Sequence, residues 1–231
     1  MSEKSDLHSG HRNRVREKFL ADGFSNFNEH QILEMLLFYA VPRKDTNELA
    51  HILLNKCGSF SSVFDAPIDV LKECGLSENA AVLLKMLPPV MGIYMNDKFC
   101  NENKIITREN IGDRILPNFI AVDGEQVLLL LLDAKGKELF CGIISKGSVN
   151  ASEIYTRKVI QLAVKYHAVG VVLAHNHPSG IPLPSKNDVK TTLVLKNALS
   201  TVSVRLIDHI IVADNEFVPM SELDDCKKLF L

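Results

Sequence analysis

The chain has 231 residues, 46% of them hydrophobic and 23% charged, with no tryptophan and a formal net charge of −2. That is an ordinary globular balance, enough for a core resting on Leu, Ile and Val in one large domain or two small ones of roughly 100–200 residues each. It lacks the overall basic footprint of a nucleic-acid binder, and its longest apolar run, Val127–Leu132, is far short of the ~20 residues a membrane helix needs.

The polar start, MSEKSDLHSG, has no apolar signal region. Five scattered cysteines (Cys57, Cys74, Cys100, Cys141, Cys226) form no C-x-x-C pair. Reduced thiols in a soluble, cytoplasmic protein are therefore expected. From His11 to Leu20 the chain reads as a charged amphipathic helix, whose basic patch His11–Lys18 is as well explained by a solvated face as by a ligand. Glu29–Tyr39 carries Ile32, Leu33, Leu36 and Leu37 at helical spacing. Thr46–Lys56 repeats the pattern with Leu49, Ile52 and Leu53 and should stop at Gly58. Pro67–Lys72 and Glu78–Leu87 read as short helices, the second ending before Pro88-Pro89. The polar stretch from Asp97 to Glu109 is the expected linker between a helical domain, residues 1–96, and a second domain, 110–231.

Beyond the linker, strand and helix alternate. Gln126–Leu132 is an apolar strand closed by the turn Asp133–Gly136, and Glu138–Ser145 returns as its hairpin partner. Glu153–His167 is helical, Val169–Ala174 is a short buried strand, Asp188–Leu199 is helical and Val204–Val212 is a last strand. This β-β-α-β-α-β order argues for an α/β (α+β) domain, a mixed sheet flanked by helices.

The chemistry concentrates in one stretch, His175-Asn-His177-Pro-Ser-Gly-Ile-Pro-Leu-Pro-Ser185-Lys-Asn-Asp188. Histidines at i and i+2 on extended backbone lie on one side of it. Asp188 follows on the first turn of a helix, across a loop stiffened by Pro178, Pro182 and Pro184. Two imidazoles and a carboxylate are the protein ligand set of a catalytic zinc site, with the fourth position left to water, whose pKa the ion lowers towards neutrality. Each piece alone has a plainer reading: Ser185-x-x-Asp188 is a capping-box variant, and two histidines can be solvated loop residues. The stiff loop between them favours metal. Asp208-His209, on an apolar strand, reads as a satisfied core pair rather than as a contact to the site.

The string matches H-x-H-x7-S-x-x-D, and so resembles the JAMM (MPN+, JAB1) zinc metallopeptidases. With GSVNASEIYTRKVIQLA upstream, LIDHIIV downstream, and RKDTNELAHILL and CGSFSSVFDAP in the helical half, the chain resembles the bacterial RadC family over nearly its whole length. The resemblance implies zinc held by His175, His177 and Asp188. It also implies oxyanion support from Ser185 and a general base at Glu125, with Glu138 and Glu153 as rivals. Thr156 and Lys158 depart from the family's usual Pro and Glu, which bears on helix entry more than on chemistry.

By the same resemblance the helical half is a helix-hairpin-helix-like module, whose Gly-x-Gly turn would offer amides to a phosphate. Ser77 stands where the second glycine is expected, and Glu73 and Glu78 flank the turn, so a degenerate, structural hairpin is expected. The implied activity is hydrolysis of a peptide or isopeptide bond in a protein substrate, with weak DNA contact at most. The alternative is a DNA-associated repair accessory protein that uses the zinc fold as a scaffold. A nuclease reading of His-Asn-His fails, because nuclease motifs of that name do not set those letters side by side.

Overall fold

Local signals in the helical half place most of its boundaries. The computed structural model describes residues 3–42, 44–101, 105–122, 124–147, 152–214 and 216–230, apart from the side chains of 3–9, 100–101 and 152–155. Helix α1 spans Glu3–Asp22 and α2 spans Glu29–Leu37, the latter opened by an Asn28/Gln31 capping box. Helix α3 (Asn47–Cys57) ends at Gly58, whose φ of 91° is a left-handed conformation that glycine adopts at little cost. Two of the basic residues in the first helix are spent on structure. His11 meets Glu34 at 2.8 Å, and Arg12 donates to the carbonyls of Phe38, Val41 and Lys44, closing the end of α2.

Helix α4 (Phe60–Asp65), capped by Ser59, was not predicted, and α5 follows at Ile68–Glu73. Leu33, Leu37, Leu53, Leu71 and Leu84 are fully buried together as the centre of this half's core. Helix α6 departs from expectation. It runs Glu78–Asn101, straight through Pro88 and Pro89. Proline removes an N–H and crowds the preceding turn, yet the helix continues without a break and enters the stretch expected to be linker. The chain divides into two compact units, Met1–Pro89 and Val90–Leu231.

In the second unit a short helix α7 (Ile111–Ile115) and a 3-10 turn (Leu116–Phe119) precede the sheet. The strands are β1 (Gln126–Leu132), β2 (Glu138–Lys146), β3 (Gly170–Asn176), β4 (Arg205–Ala213) and β5 (Glu216–Pro219), the last not predicted. Their order is β2-β1-β3-β4-β5, with only β3 and β4 parallel. Helix α8 (Ser152–Lys165) leads into β3, and α9 (Lys186–Ser200) makes the crossover that parallel strands require. The fold is the expected mixed sheet flanked by helices.

Alternation divides the core. Val127, Leu129, Leu131, Val171, Leu173 and Ile211 face a cluster with Val159, Ala163, Leu195 and Leu199 of α8 and α9. Leu128, Leu130, Val172, Ala174 and Ile210 face Ile111, Ile115 and Phe119 on the other side. Lys158 ties α8 to β2 through the Ile144 carbonyl at 2.8 Å. Among the described residues Cys57, Cys74 and Cys226 are free thiols, and no helix is long and apolar enough to cross a membrane.

Candidate metal centre

His175 is the penultimate residue of β3 and continues the face of Val171 and Leu173, so a polar ring ends an otherwise apolar row, 4% exposed. Asn176 turns to the opposite face and fastens the start of β1. Its Oδ1 accepts from the Gln126 amide at 2.7 Å, and its Nδ2 donates to the Gly124 carbonyl at 2.9 Å. The His177 amide donates to the Val212 carbonyl at 2.7 Å, extending the pairing with β4 by one residue. The loop then turns at Gly180, whose φ is 76°.

At its far end Ser185 caps α9: its Oγ accepts from the Asp188 amide at 3.2 Å, while the Asp188 Oδ2 accepts from the Ser185 amide at 2.6 Å. The capping-box reading of Ser185 and Asp188 is therefore correct, and it aims the carboxylate back towards the end of β3.

Three side chains converge there. His175 Nε2 lies 2.9 Å from His177 Nε2 and 3.3 Å from Asp188 Oδ1, and His177 Nε2 lies 3.4 Å from Asp188 Oδ2. A tetrahedral zinc with ligand bonds of about 2.0–2.2 Å spaces its ligands by about 3.3–3.5 Å. The donors are near that spacing, and the set of two nitrogens and one oxygen suits zinc. Among the described residues these three form the one group of His, Cys, Asp or Glu side chains close enough to hold a metal ion.

Burial by itself would raise the Asp188 carboxyl. The neighbouring His175 ring and the hydrogen bonds from Ser185 overcome it and hold the group below the usual carboxylate range.

A further ring stands behind His175. His209 Nε2 is 2.8 Å from His175 Nδ1, and His209 Nδ1 is 2.6 Å from Thr192 Oγ1. Burial, then the neighbouring His175, pulls the His209 pKa down to about 3. The expectation of an Asp208–His209 core pair is thus corrected. Asp208 instead accepts from the Ser221 hydroxyl and amide and from the His209 amide, while the His209 ring reaches the site.

Glu125 lies just before β1, half-buried, and its carbonyl accepts from the Gly147 amide at 2.8 Å. Val127 pairs with His175, which sets Glu125, two residues earlier, beyond the end of β1 nearest His175. Among the described residues its carboxylate has no hydrogen-bond or ion-pair partner. The rival Glu138 pairs with Leu132 at the other end of β1, and its two oxygens accept from Arg114 at 2.5 and 2.8 Å. The side chain of Glu153 lies outside the described residues.

The family model for the RadC-like JAB domain matches residues 105–225. The chain is also 35% identical over 230 residues to a UPF0758 protein of Fusobacterium nucleatum subsp. nucleatum, an alignment covering 96% of this chain and 98% of that protein.

Proposed function

The chain belongs to the RadC-like JAB domain family, and from that premise we propose that it is a zinc-dependent hydrolase cleaving a peptide or isopeptide bond. The observation that carries the reading is the convergence of His175, His177 and Asp188 at 2.9–3.4 Å. These three side chains would hold the ion and leave its fourth position open. When bound, zinc would supply Lewis-acid polarisation and a water of near-neutral pKa.

Glu125, whose carboxylate has no partner among the described residues, takes the proton of the attacking water and returns it to the leaving amine. Ser185 accepts from the Asp188 amide through Oγ, so its own hydroxyl hydrogen remains available to an oxygen that gains charge. Capping and oxyanion support are therefore compatible in one residue.

A DNA-binding role draws less support from the α5–α6 turn. Gly75 and Leu76 already donate to the carbonyls of Lys72 and Leu71, and Ser77 Oγ is engaged by the Ala80 amide. With Glu73 and Glu78 alongside, little remains there to hold a phosphate.

The test is metal analysis of the chain supplied with zinc, then a screen of peptide and isopeptide substrates with and without chelator. About one zinc per chain is expected. Glu125→Gln should keep the metal and lose ~10²–10⁴-fold in turnover. Absence of bound zinc in the unmutated chain sinks the reading, and unchanged turnover in the variant removes Glu125 from it.

A further inference from the structure

A histidine nitrogen can bind a metal only if the ring's hydrogen sits on the other nitrogen, and the bond made by that other nitrogen decides this. For His177 the deciding partner is the Ile181 carbonyl, 3.0 Å from Nδ1. A carbonyl only accepts, so Nδ1 carries the hydrogen and Nε2 is bare. His175 has no such partner. Its Nδ1 faces another ring nitrogen, Nε2 of His209, at 2.8 Å, and that contact works in either direction.

Thr192 decides the direction. Its Oγ1 lies 2.6 Å from the Asp188 carbonyl oxygen and 2.6 Å from His209 Nδ1. Two oxygens that close need a hydrogen between them, and the carbonyl has none to give. The threonine hydrogen is therefore committed to Asp188, and the hydroxyl can only accept from His209. His209 then carries its hydrogen on Nδ1, its Nε2 is bare, and it accepts from His175 Nδ1. That leaves His175 Nε2 bare, so that it, the bare His177 Nε2 2.9 Å away and the Asp188 carboxylate form an acceptor-only cluster that calls for a cation among them. Reversing every bond would put a hydrogen on His175 Nε2 and set two oxygen lone pairs against each other at 2.6 Å.

We propose that Thr192 and His209 are positioning residues of the metal centre. They form a one-way hydrogen-bond chain from His175 through His209 and Thr192 to the Asp188 backbone, and this chain holds His175 in its metal-binding tautomer. Thr192 is fully buried and His209 is 1% exposed, so bulk water does not replace either partner. The chain starts at one ligand and ends at the backbone of another, crossing from β3 through β4 to α9. The proposal rests on the metal reading above.

Thr192→Val keeps the shape and removes the hydroxyl, whereas Thr192→Ser keeps the hydroxyl. Zinc affinity, measured by competition with a chromogenic chelator, should fall ~10–100-fold in the valine variant and return close to the parent value with serine. A valine variant that melts earlier but binds zinc like the parent overturns the proposal. Nitrogen-15 spectra of the zinc-free parent chain at neutral pH need no variant: they should show His209 protonated on Nδ1 alone. His209 protonated on Nε2 overturns the proposal even if the valine variant fails to fold. Because these spectra are taken without zinc, a parent chain that binds none sinks the hydrolase reading, while the His209 tautomer still decides this one.

Discussion

Ser185 carries two assignments on one hydroxyl, and substitution separates them. As an N-cap its loss to alanine costs about 0.5–2 kcal/mol of stability. As an oxyanion donor its loss costs on the order of 10²–10³ in kcat. Ser185→Asp still caps α9 but sets a carboxylate against the developing negative charge. The aspartate variant is expected to melt near the parent and the alanine variant lower, with turnover falling in both and further in aspartate. Native turnover in a well-folded Ser185→Asp chain reduces the residue to a cap. Asp208 gives a prediction in pH. Burial raises its carboxyl above the usual range, against hydrogen bonds from Ser221 and the His209 amide. The unfolded chain releases this proton near pH 3.9 and the folded chain only higher up. Between the two the folded state binds more protons, so the contribution of Asp208 to stability declines as pH rises through that window. Denaturant midpoints of the zinc-free chain, followed upward from about pH 4, should show this decline, and Asp208→Asn should flatten it. An unchanged slope in the variant would contradict the raised value.

Helix α7 meets β5 at a glycine, where a larger residue would have to displace the Phe217 ring. A Cβ on Gly112 would meet ring atoms of Phe217 at 2.4 and 2.8 Å. Glycine to alanine inside a helix ordinarily favours the helix by ~1 kcal/mol, whereas overpacking costs about 1–3 kcal/mol. Gly112→Ala is therefore expected to destabilise the parent chain but to be neutral or stabilising in a Phe217→Ala background. A double-mutant cycle from denaturant melts measures the change of sign; equal effects in both backgrounds would dismiss the contact. Which elements the sequence disclosed follows from their length and pattern. β1 was legible from an apolar run bounded by Glu125 and the Asp133–Gly136 turn, and α3 from its period and Gly58. Helices α4 and α7, of six and five residues, are too short for a period to emerge. The Pro88-Pro89 pair signals a stop locally, yet it removes only two donors from a long helix that continues past it. The three converging side chains were legible because His175, His177 and Asp188 sit within one short stretch. His209 was not, because its reach depends on the parallel register that pairs it with Leu173, which no local spacing shows.

At the scale of the molecule, cores and site are distributed unequally. The core around Leu33, Leu53, Leu71 and Leu84 lies wholly within Met1–Pro89, while both faces of the sheet and the converging His175, His177 and Asp188 lie within Val90–Leu231. A net charge of −2 gives the chain no broad attraction for phosphate. Any DNA binding is expected to be weak and to fall steeply with salt, and submicromolar binding to duplex at physiological salt, lost when the Gly75 turn is mutated, would reverse that expectation. Zinc tests how far the two cores act separately. A ligand that binds only the folded state stabilises what it binds by about 2.7 kcal/mol at 100 times its Kd, which slows exchange through unfolding roughly 100-fold. The most protected amides of β1, β3 and β4 should slow by that factor when zinc is added, since the proposed ligands sit at the end of β3 and on α9. Amides of Leu53 and Leu84 in the other core should not change if their unit opens on its own. Hydrogen exchange with and without zinc, resolved by residue, reads both at once. Equal slowing in both cores would mean that the chain unfolds as one body, and the metal would then stabilise helices that contribute none of its ligands.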